Sequence, residues 1–568
     1  MVEEKKVSPD EPARVGVFIC HCGSNIGGYI DCKALAEYAG TLPNVVHSED
    51  NLYTCSETGL TAIKDAIDQY DLNRVVVASC TPRTHEPLFR ETIMQKGLNP
   101  YLFNFVNIRD QCTWVHQKDT EGAFAKAKDV VKMGAAKASK LEPLEKNIVN
   151  INPIAMVVGG GISGMTAALS LANQGFKTYL VEKEAELGGL LRSLHTVYPT
   201  NIKSSELLGD IVAKVTNHPK IEIHTSSKVI DIHGFVGNYE ASIQTGNVTK
   251  TVTVGCIVVA VGSQPLKPEG LLGYDGKKRI TQMELEKILK DDSLKANDIV
   301  MIQCVGARIK ERPYCSSVCC MTALKNALNI KEKNPNANIT VLFRDYYTPG
   351  IDYEEQYRLA RDKGIIFLKY SEDKMPTVDD KVVKSFNEFI NAEVSIPYDL
   401  VVLSTPLVAN DDNKELAQLL KVPLEDNKFF LEAHVKLRPI DFATDGVFVC
   451  GCAKWPVDII ESISQGYAAA SRASTILSHE TLEVEGATAR LPEVNRDLCS
   501  GCEVCTTICP FKAIIKDENG QIQVIQALCK GCGTCVASCT RKALSIKHFT
   551  NDQIFAEIHA LAGVEQEK

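Results

Sequence analysis

Eight cysteines near the C-terminus have the spacing of iron ligands. Cys499, Cys502, Cys505 and Cys509 read Cys-x2-Cys-x2-Cys-x3-Cys, followed by Pro510, and Cys529, Cys532, Cys535 and Cys539 repeat the spacing with Thr540 in place of the proline. Three closely spaced thiolates wrap one face of an iron–sulfur cube. The fourth, carried away by the helix that follows, reaches a second cube. The pattern assigns Cys499, Cys502, Cys505 and Cys539 to one [4Fe–4S] cluster and Cys529, Cys532, Cys535 and Cys509 to another. Gly501, Gly531 and Gly533 suit loops whose N–H groups must point at sulfide. Zinc also binds Cys-x2-Cys pairs, but it has no need of two matched quartets.

A second constellation lies at residues 154–183. The strand-like IAMVV leads directly into Gly159-Gly160-Gly161-Ile162-Ser163-Gly164, then a helical stretch, then the strand-like KTYLV ending at Glu182 and Lys183. In that context a Gly-rich loop binds a dinucleotide: a tight turn, close backbone approach to pyrophosphate, and an acid for the ribose hydroxyls. Candidate contacts are Gly159, Gly161, Ile162, Ser163, Gly164, Glu182 and Lys183. The C-terminal quartets resemble a bacterial two-cluster ferredoxin, and the stretch beyond the Gly-rich loop resembles the two-dinucleotide-binding flavoproteins. In LGGLLR that resemblance brings Gly188, Gly189, Leu190 and Arg192 to the pyrophosphate. The turn with Val261 and Gly262 matches the group's connecting motif, and TDGVFVCG (444–451) its second FAD strand. Gly451 would there meet the ribityl chain; the next residue, often Asp in the group, is Cys452. Gln465 would open a small-residue helix aimed at the flavin pyrimidine, its positive end favouring negative charge. The implied cofactor is FAD.

IVMIQ (299–303) reads as the start of a second nucleotide-binding unit, yet no Gly-x-Gly-x-x-Gly follows. One glycine remains, and Cys304, Cys315, Cys319 and Cys320 have arrived. The residues alone leave two readings, a [4Fe–4S] site in place of NAD(P)H binding or redox-silent core thiols. The run QCVGARIKERPYCSSVCCMTALKNA, with VGVFICHCGSNIGG, VVVASCTPRTHEPLFR and NPYLFNFVNIRDQCTWVH, resembles the heterodisulfide reductase A-subunit family over nearly the whole chain. That resemblance implies a cluster on the four central cysteines beside the flavin, and Lys325 as a catalytic neighbour of the flavin's redox-active edge. No Cys-x2-Cys-x2-Cys occurs between Glu182 and Cys304, so the chain resembles the shorter form without an inserted ferredoxin.

The resemblance further implies an iron–sulfur flavoprotein, an oxidoreductase component of an oligomeric, anaerobic electron-transfer complex. Its partners would be the other subunits and ferredoxin or similar carriers. Electron pairs would be exchanged at the flavin and single electrons at the clusters, which makes flavin-based bifurcation or confurcation the expected reaction. A rival is an NAD(P)H-dependent disulfide oxidoreductase using Cys319 and Cys320, although vicinal cysteines suit thiol–disulfide geometry poorly. A third reading is a scaffold whose clusters only hold the fold.

Cys20, Cys22, Cys55, Cys80 and Cys112 each end a strand-like run or sit in the turn after one. Strand ends of an α/β domain converge on one edge, so four of the five could hold a further [4Fe–4S] cluster. Cys20 is the favoured spare; buried structural thiols are the alternative. Cys32, Cys256 and Cys450 read as ordinary buried residues.

These groups need α/β scaffolding, and the hydrophobic pattern supplies it. After a polar tail (1–14) comes a small α/β domain (15–145). A thioredoxin-reductase-like core (146–485) follows, with a degenerate NAD(P)-type subdomain at about 297–395, then an α+β ferredoxin-like domain with a helical tail (486–568). A chain of 568 residues has room for about three domains. Twenty-one cysteines without a secretory signal favour metal over disulfides. A net charge of −9 gives no case for nucleic-acid binding, and no apolar run approaches a membrane span. The expected location is the cytoplasm.

Overall fold

The computed structural model describes residues 11–144, 148–483 and 492–563. The expected polar tail and the polar linker near 480–492 fall largely outside them. The chain divides into two compact units, Val149–Leu482 and a second made of the residues through Ile148 with those from Glu483 onward.

In the second unit, four parallel strands line up as Val45–Asn51, Val15–Cys20, Arg74–Ser79 and Phe103–Asn107. Val15–Cys20 and Arg74–Ser79 are buried along their whole length, as strands covered on both faces must be. The helices Cys32–Ala39 and Thr120–Ser139 cover one face through Leu35, Ala127 and Val131. Glu57–Gln69 and Pro82–Met94 cover the other through Ile63, Ile67, Phe89 and Ile93. Strand order therefore reverses between Val15–Cys20 and Arg74–Ser79, and the carboxyl edge there is the crevice where such sheets bind ligands. The C-terminal module of this unit is built from two short antiparallel pairs, Pro492–Val494 with Leu544–Ile546 and Ile514–Lys516 with Ile522–Val524. Its last helix, Asn551–Ala562, packs on Thr120–Ser139. Lys137 pairs with Glu557 at 3.0 Å, and the Gln553 amide donates to Lys140 O at 2.9 Å.

The unit Val149–Leu482 uses one plan twice. A parallel sheet runs Ile221–His224, Lys177–Val181, Ile154–Val158, Cys256–Val259, Val447–Val449, with an antiparallel meander at Ser227–Phe235, Asn238–Thr245 and Val248–Val254. The second sheet runs Arg279–Thr281, Leu400–Leu403, Asp298–Ile302, Asn338–Phe343, Ile366–Lys369, with its own meander from Thr377 to Pro397. This sheet starts earlier and ends later than the expected span of about 297–395. Its outer strand Arg279–Thr281 has only three residues, too few to carry a period. Among the described residues no helix is long and apolar enough to cross a membrane.

Candidate functional site

A cavity of about 820 Å³ opens where the first Gly-rich loop meets the connecting turn and the helix Ile459–Leu477. That volume suits a large cofactor. Gly159 (φ 109°) turns the chain out of its strand, and a Cβ there would lie 2.3 Å from Ala260 O. A Cβ on Gly164 would lie 1.9 Å from Gly159 O, so only glycine lets the helix Ile162–Asn173 approach this closely. At Gly161 a Cβ would meet nothing within 4 Å, and its backbone lines the cavity. This open cradle is what a pyrophosphate needs, and the residues present fit a dinucleotide.

Glu182 is buried and accepts from the N–H of Gly160 at 2.6 Å and of Glu184 at 2.8 Å. It still lines the cavity, and a carboxylate has lone pairs left for ribose hydroxyls. Ile162, Ser163, Lys183, Gly188, Gly189, Leu190, Val261, Gly262 and Cys452 also line it. Lys183 pairs with Asp412 at 3.1 Å.

Four expected contacts do not reach the cavity wall. Gly164 packs beneath the loop. Arg192 turns away to pair with Glu186 and to donate to Leu187 O. Gly451 is buried behind Ser163 and donates its N–H to Gln465 Oε1 at 2.9 Å. Gln465 itself does not open the helix, which begins at Ile459, one to two turns earlier. Asp458 caps it by accepting from Glu461 N–H at 2.8 Å, so Asp458, Ile459 and Ser462 bring the positive end to the cavity. The signal Asp458-x-x-Glu461 was legible. Asn410, whose amide donates to Val261 O at 2.8 Å, and the half-buried Tyr198 carry no sequence signal.

Lys325 does not line the cavity either. It is buried, paired with Glu286, and donates to Thr196 O at 2.8 Å. Burial pushes its pKa down, against the opposing pull of Glu286.

Cys304, Cys315, Cys319 and Cys320 come together beside the cavity. Val318 and Thr322 line the cavity wall. Cys319 and Cys320, between them, start the helix Cys319–Lys333. Burial raises the thiol pKa values of Cys319 and Cys320, Cys320 to about 12, and nearby cysteines add to the effect. Cys304 takes up a left-handed backbone (φ 60°), uncommon for a side-chain-bearing residue. Burial raises its pKa while the Arg308 guanidinium opposes the rise; Arg308 is held by Asp345 at 2.9 Å. Ser317 N–H points at the Cys315 sulfur, 3.4 Å away. Thiols gathered among buried groups with N–H donors suit a cluster that would strip their protons.

In the other unit the crevice collects Cys20, Cys22, Cys55 and Cys80, which lie within electrostatic reach of one another. Cys22 is left-handed (φ 44°). Arg109 faces Cys22 and Cys80, stacked on Trp114 and held by Asp110 at 2.9 Å. Thr54 is fully buried, sends its N–H to the Cys20 sulfur at 3.5 Å, and has no partner for Oγ1. Cys112, not the favoured Cys20, stands apart: buried on the helix face, it donates to Ala123 O at 2.9 Å, and burial raises its pKa to about 11. Cys32, Cys256 and Cys450 are buried.

In the C-terminal module Cys509, Cys529, Cys532 and Cys535 line one small cavity of about 10 Å³, the same four grouped by spacing. Cys505 lies close to Cys499 and Cys502. Ala513 N–H points at the Cys509 sulfur and Ala543 N–H at that of Cys539, at 3.3 and 3.2 Å. Among the described residues no three His, Cys, Asp or Glu are arranged to hold a metal ion; a four-iron cube spreads its thiolates wider than one ion does.

Residues 154–306 match the family model described as pyridine nucleotide-disulphide oxidoreductase, and 498–544 that of a 4Fe-4S dicluster domain. A thioredoxin reductase of T. acidophilum covers 56% of this chain and 97% of its own, with 18% identity and a TM-score of 0.40. The A-subunit of the H(2):CoB-CoM heterodisulfide,ferredoxin reductase of Methanothermobacter thermautotrophicus is 37% identical over 656 positions, covering 99% of each chain. Those positions outnumber this chain's 568 residues, so the relative carries sequence absent here. The iron-sulfur A-subunit of the CoB--CoM heterodisulfide reductase of Methanocaldococcus jannaschii is 34% identical, covering 97% of this chain and 99% of its own. With a flavin-type cavity and cysteine quartets already in place, the chain is part of an oxidoreductase and belongs to the heterodisulfide reductase A-subunit family.

Proposed function

We propose that this chain is the FAD- and [4Fe–4S]-containing electron-transfer subunit of a cytoplasmic heterodisulfide-reductase-like complex, working by bifurcation or confurcation. A two-electron partner would stand on one side and ferredoxin-type low-potential carriers on the other. The observation that carries the reading is one helical turn. Val318 and Thr322 line the flavin-type cavity, and Cys319 and Cys320 between them belong to the central thiol group. FAD exchanges electrons in pairs or singly and an iron–sulfur cluster singly, which is the chemistry their adjacency would supply.

The chain's own residues prepare that chemistry. Gly159 and Gly161 would hold the pyrophosphate, and Glu182 the ribose. The helix end at Asp458 favours negative charge in the cavity. Lys325, pinned by Glu286 behind the wall, adds a buried cation to the same subdomain. Four clusters are proposed: Cys304/Cys315/Cys319/Cys320, Cys20/Cys22/Cys55/Cys80, and the two C-terminal quartets. The long excursion between the strand Asp298–Ile302 and the helix Cys319–Lys333 occupies the place of a nucleotide phosphate loop, which supports cluster-borne rather than NAD(P)H-borne electrons.

The test is anaerobic reduction of the purified complex. Reduced ferredoxin should bleach the flavin absorbance, and NADPH alone should not. Rapid bleaching by NADPH alone would overturn the reading in favour of a disulfide oxidoreductase.

A further inference from the structure

Gln303 is fully buried, and neither Oε1 nor Nε2 of its carboxamide has a hydrogen-bond partner. Buried amides are rarely left so, because desolvation without a partner is costly. Its main chain is fully engaged: the N–H donates to Leu342 O at 2.9 Å and the carbonyl accepts from Tyr370 OH at 2.6 Å. The unmet groups belong to the side chain alone.

The direction of that side chain follows from the pleat. Ile299 and Met301 pack with Met321, Ala323 and Leu324 of the helix Cys319–Lys333. Val300 and Ile302 pack on the opposite face with Tyr370 and Val383. Alternation therefore puts Gln303 on the helix side. Ser404, which directly follows the adjacent strand Leu400–Leu403, lies on that side too, since its Oγ accepts from Gln282, which also bonds Asn326 of the same helix. The strand Asp298–Ile302 sits between Leu400–Leu403 and Asn338–Phe343. Past the end of one neighbour the Cys319 thiol rests on Thr405 O at 3.7 Å, and past the end of the other the Cys320 thiol rests on Asp345 O at 4.0 Å. Gln303 directly follows the middle strand, between the chain segments that run on to Thr405 and Asp345, and is itself followed by Cys304.

We infer that the Gln303 carboxamide donates its Nε2–H to a sulfur of the cluster carried by Cys304, Cys315, Cys319 and Cys320, and thereby raises that cluster's reduction potential. Thiolate and sulfide sulfurs only accept, and a half-turn of the amide presents the N–H to them. A hydrogen bond to sulfur favours the more negative, reduced state, so it shifts the potential upward. The inference rests on the central thiols holding a cluster.

The experiment uses the full-length protein with its cofactors and follows the central cluster's electron paramagnetic resonance signal through a redox titration. Q303M keeps length and apolar volume but removes the donor. It should keep the wild-type iron content while the one-electron equilibrium falls at least tenfold, a drop of 59 mV. An unchanged midpoint at full iron content, or loss of the signal with the flavin retained, overturns the inference. In wild-type protein labelled with 15N in the glutamine side chain, the reduced cluster should show a coupled 15N nucleus; its absence overturns the inference even if Q303M does not fold. C315S separates the two levels. If it leaves iron content and the central signal unchanged, no cluster sits on these thiols and the functional reading fails with the inference. If it abolishes the signal while Q303M leaves the midpoint alone, only the inference about Gln303 falls.

Discussion

At the scale of single residues, Asp399 and the cysteines give the sharpest expectations. Asp399 Oδ2 accepts from the N–H groups of Asn297 and Asp298 at 2.9 and 3.0 Å, clamping the entry to the strand that leads to Cys304. The Asp298 N–H, then that of Asn297, hold its pKa below the ordinary carboxylate value. The folded pKa lies below the unfolded one of about 3.9, so its stabilisation is whole above that pH and is lost as pH falls through the folded value. D399A should cost about 1 kcal/mol at neutral pH, the site being solvent-exposed, and progressively less as pH falls through the folded pKa. Denaturant midpoints read from amide protection in Asp298–Ile302 would check both limbs. In the other unit, C112A should keep every iron and C22A should lose about four; iron analysis decides. The sequence favours Cys20 as the spare only if the strand continues through Cys22. The strand stops at Cys20, and Cys22 turns left-handed, which reverses the inference.

At the scale of elements, local patterns were legible and long-range partners were not. The two cysteine quartets and the strand–loop–helix around Gly159 are contiguous, so spacing alone identifies them. The close approach at Gly164 makes a specific expectation: G164A should abolish flavin binding, because its Cβ has nowhere to go, while leaving iron content unchanged. Flavin absorbance against iron analysis on one preparation checks this. The resemblance implies Lys325 at the flavin edge, yet its position depends on Glu286, 39 residues away, and on Thr196, 129 away. No periodicity encodes such a pairing. The small-residue run QGYAAA points to a helix opening at Gln465, whereas the cap at Asp458 starts the helix Ile459–Leu477 one to two turns earlier.

At the scale of the whole molecule, the fold class follows from alternating strand and helix patterns, and the two units distribute the chemistry unequally. Val149–Leu482 holds the flavin-type cavity and the central thiols; the other unit holds the crevice cysteines and both C-terminal quartets. The grouping of the N-terminal and C-terminal segments into one unit was not legible, since it depends on the last helix finding Thr120–Ser139 across most of the sequence. The central claim is that one flavin and four clusters share this chain. The most direct measurement is the FAD and iron content of the full-length protein purified without oxygen. The account predicts one FAD and about sixteen irons per chain, four for each cluster. About eight irons and no flavin would contradict it.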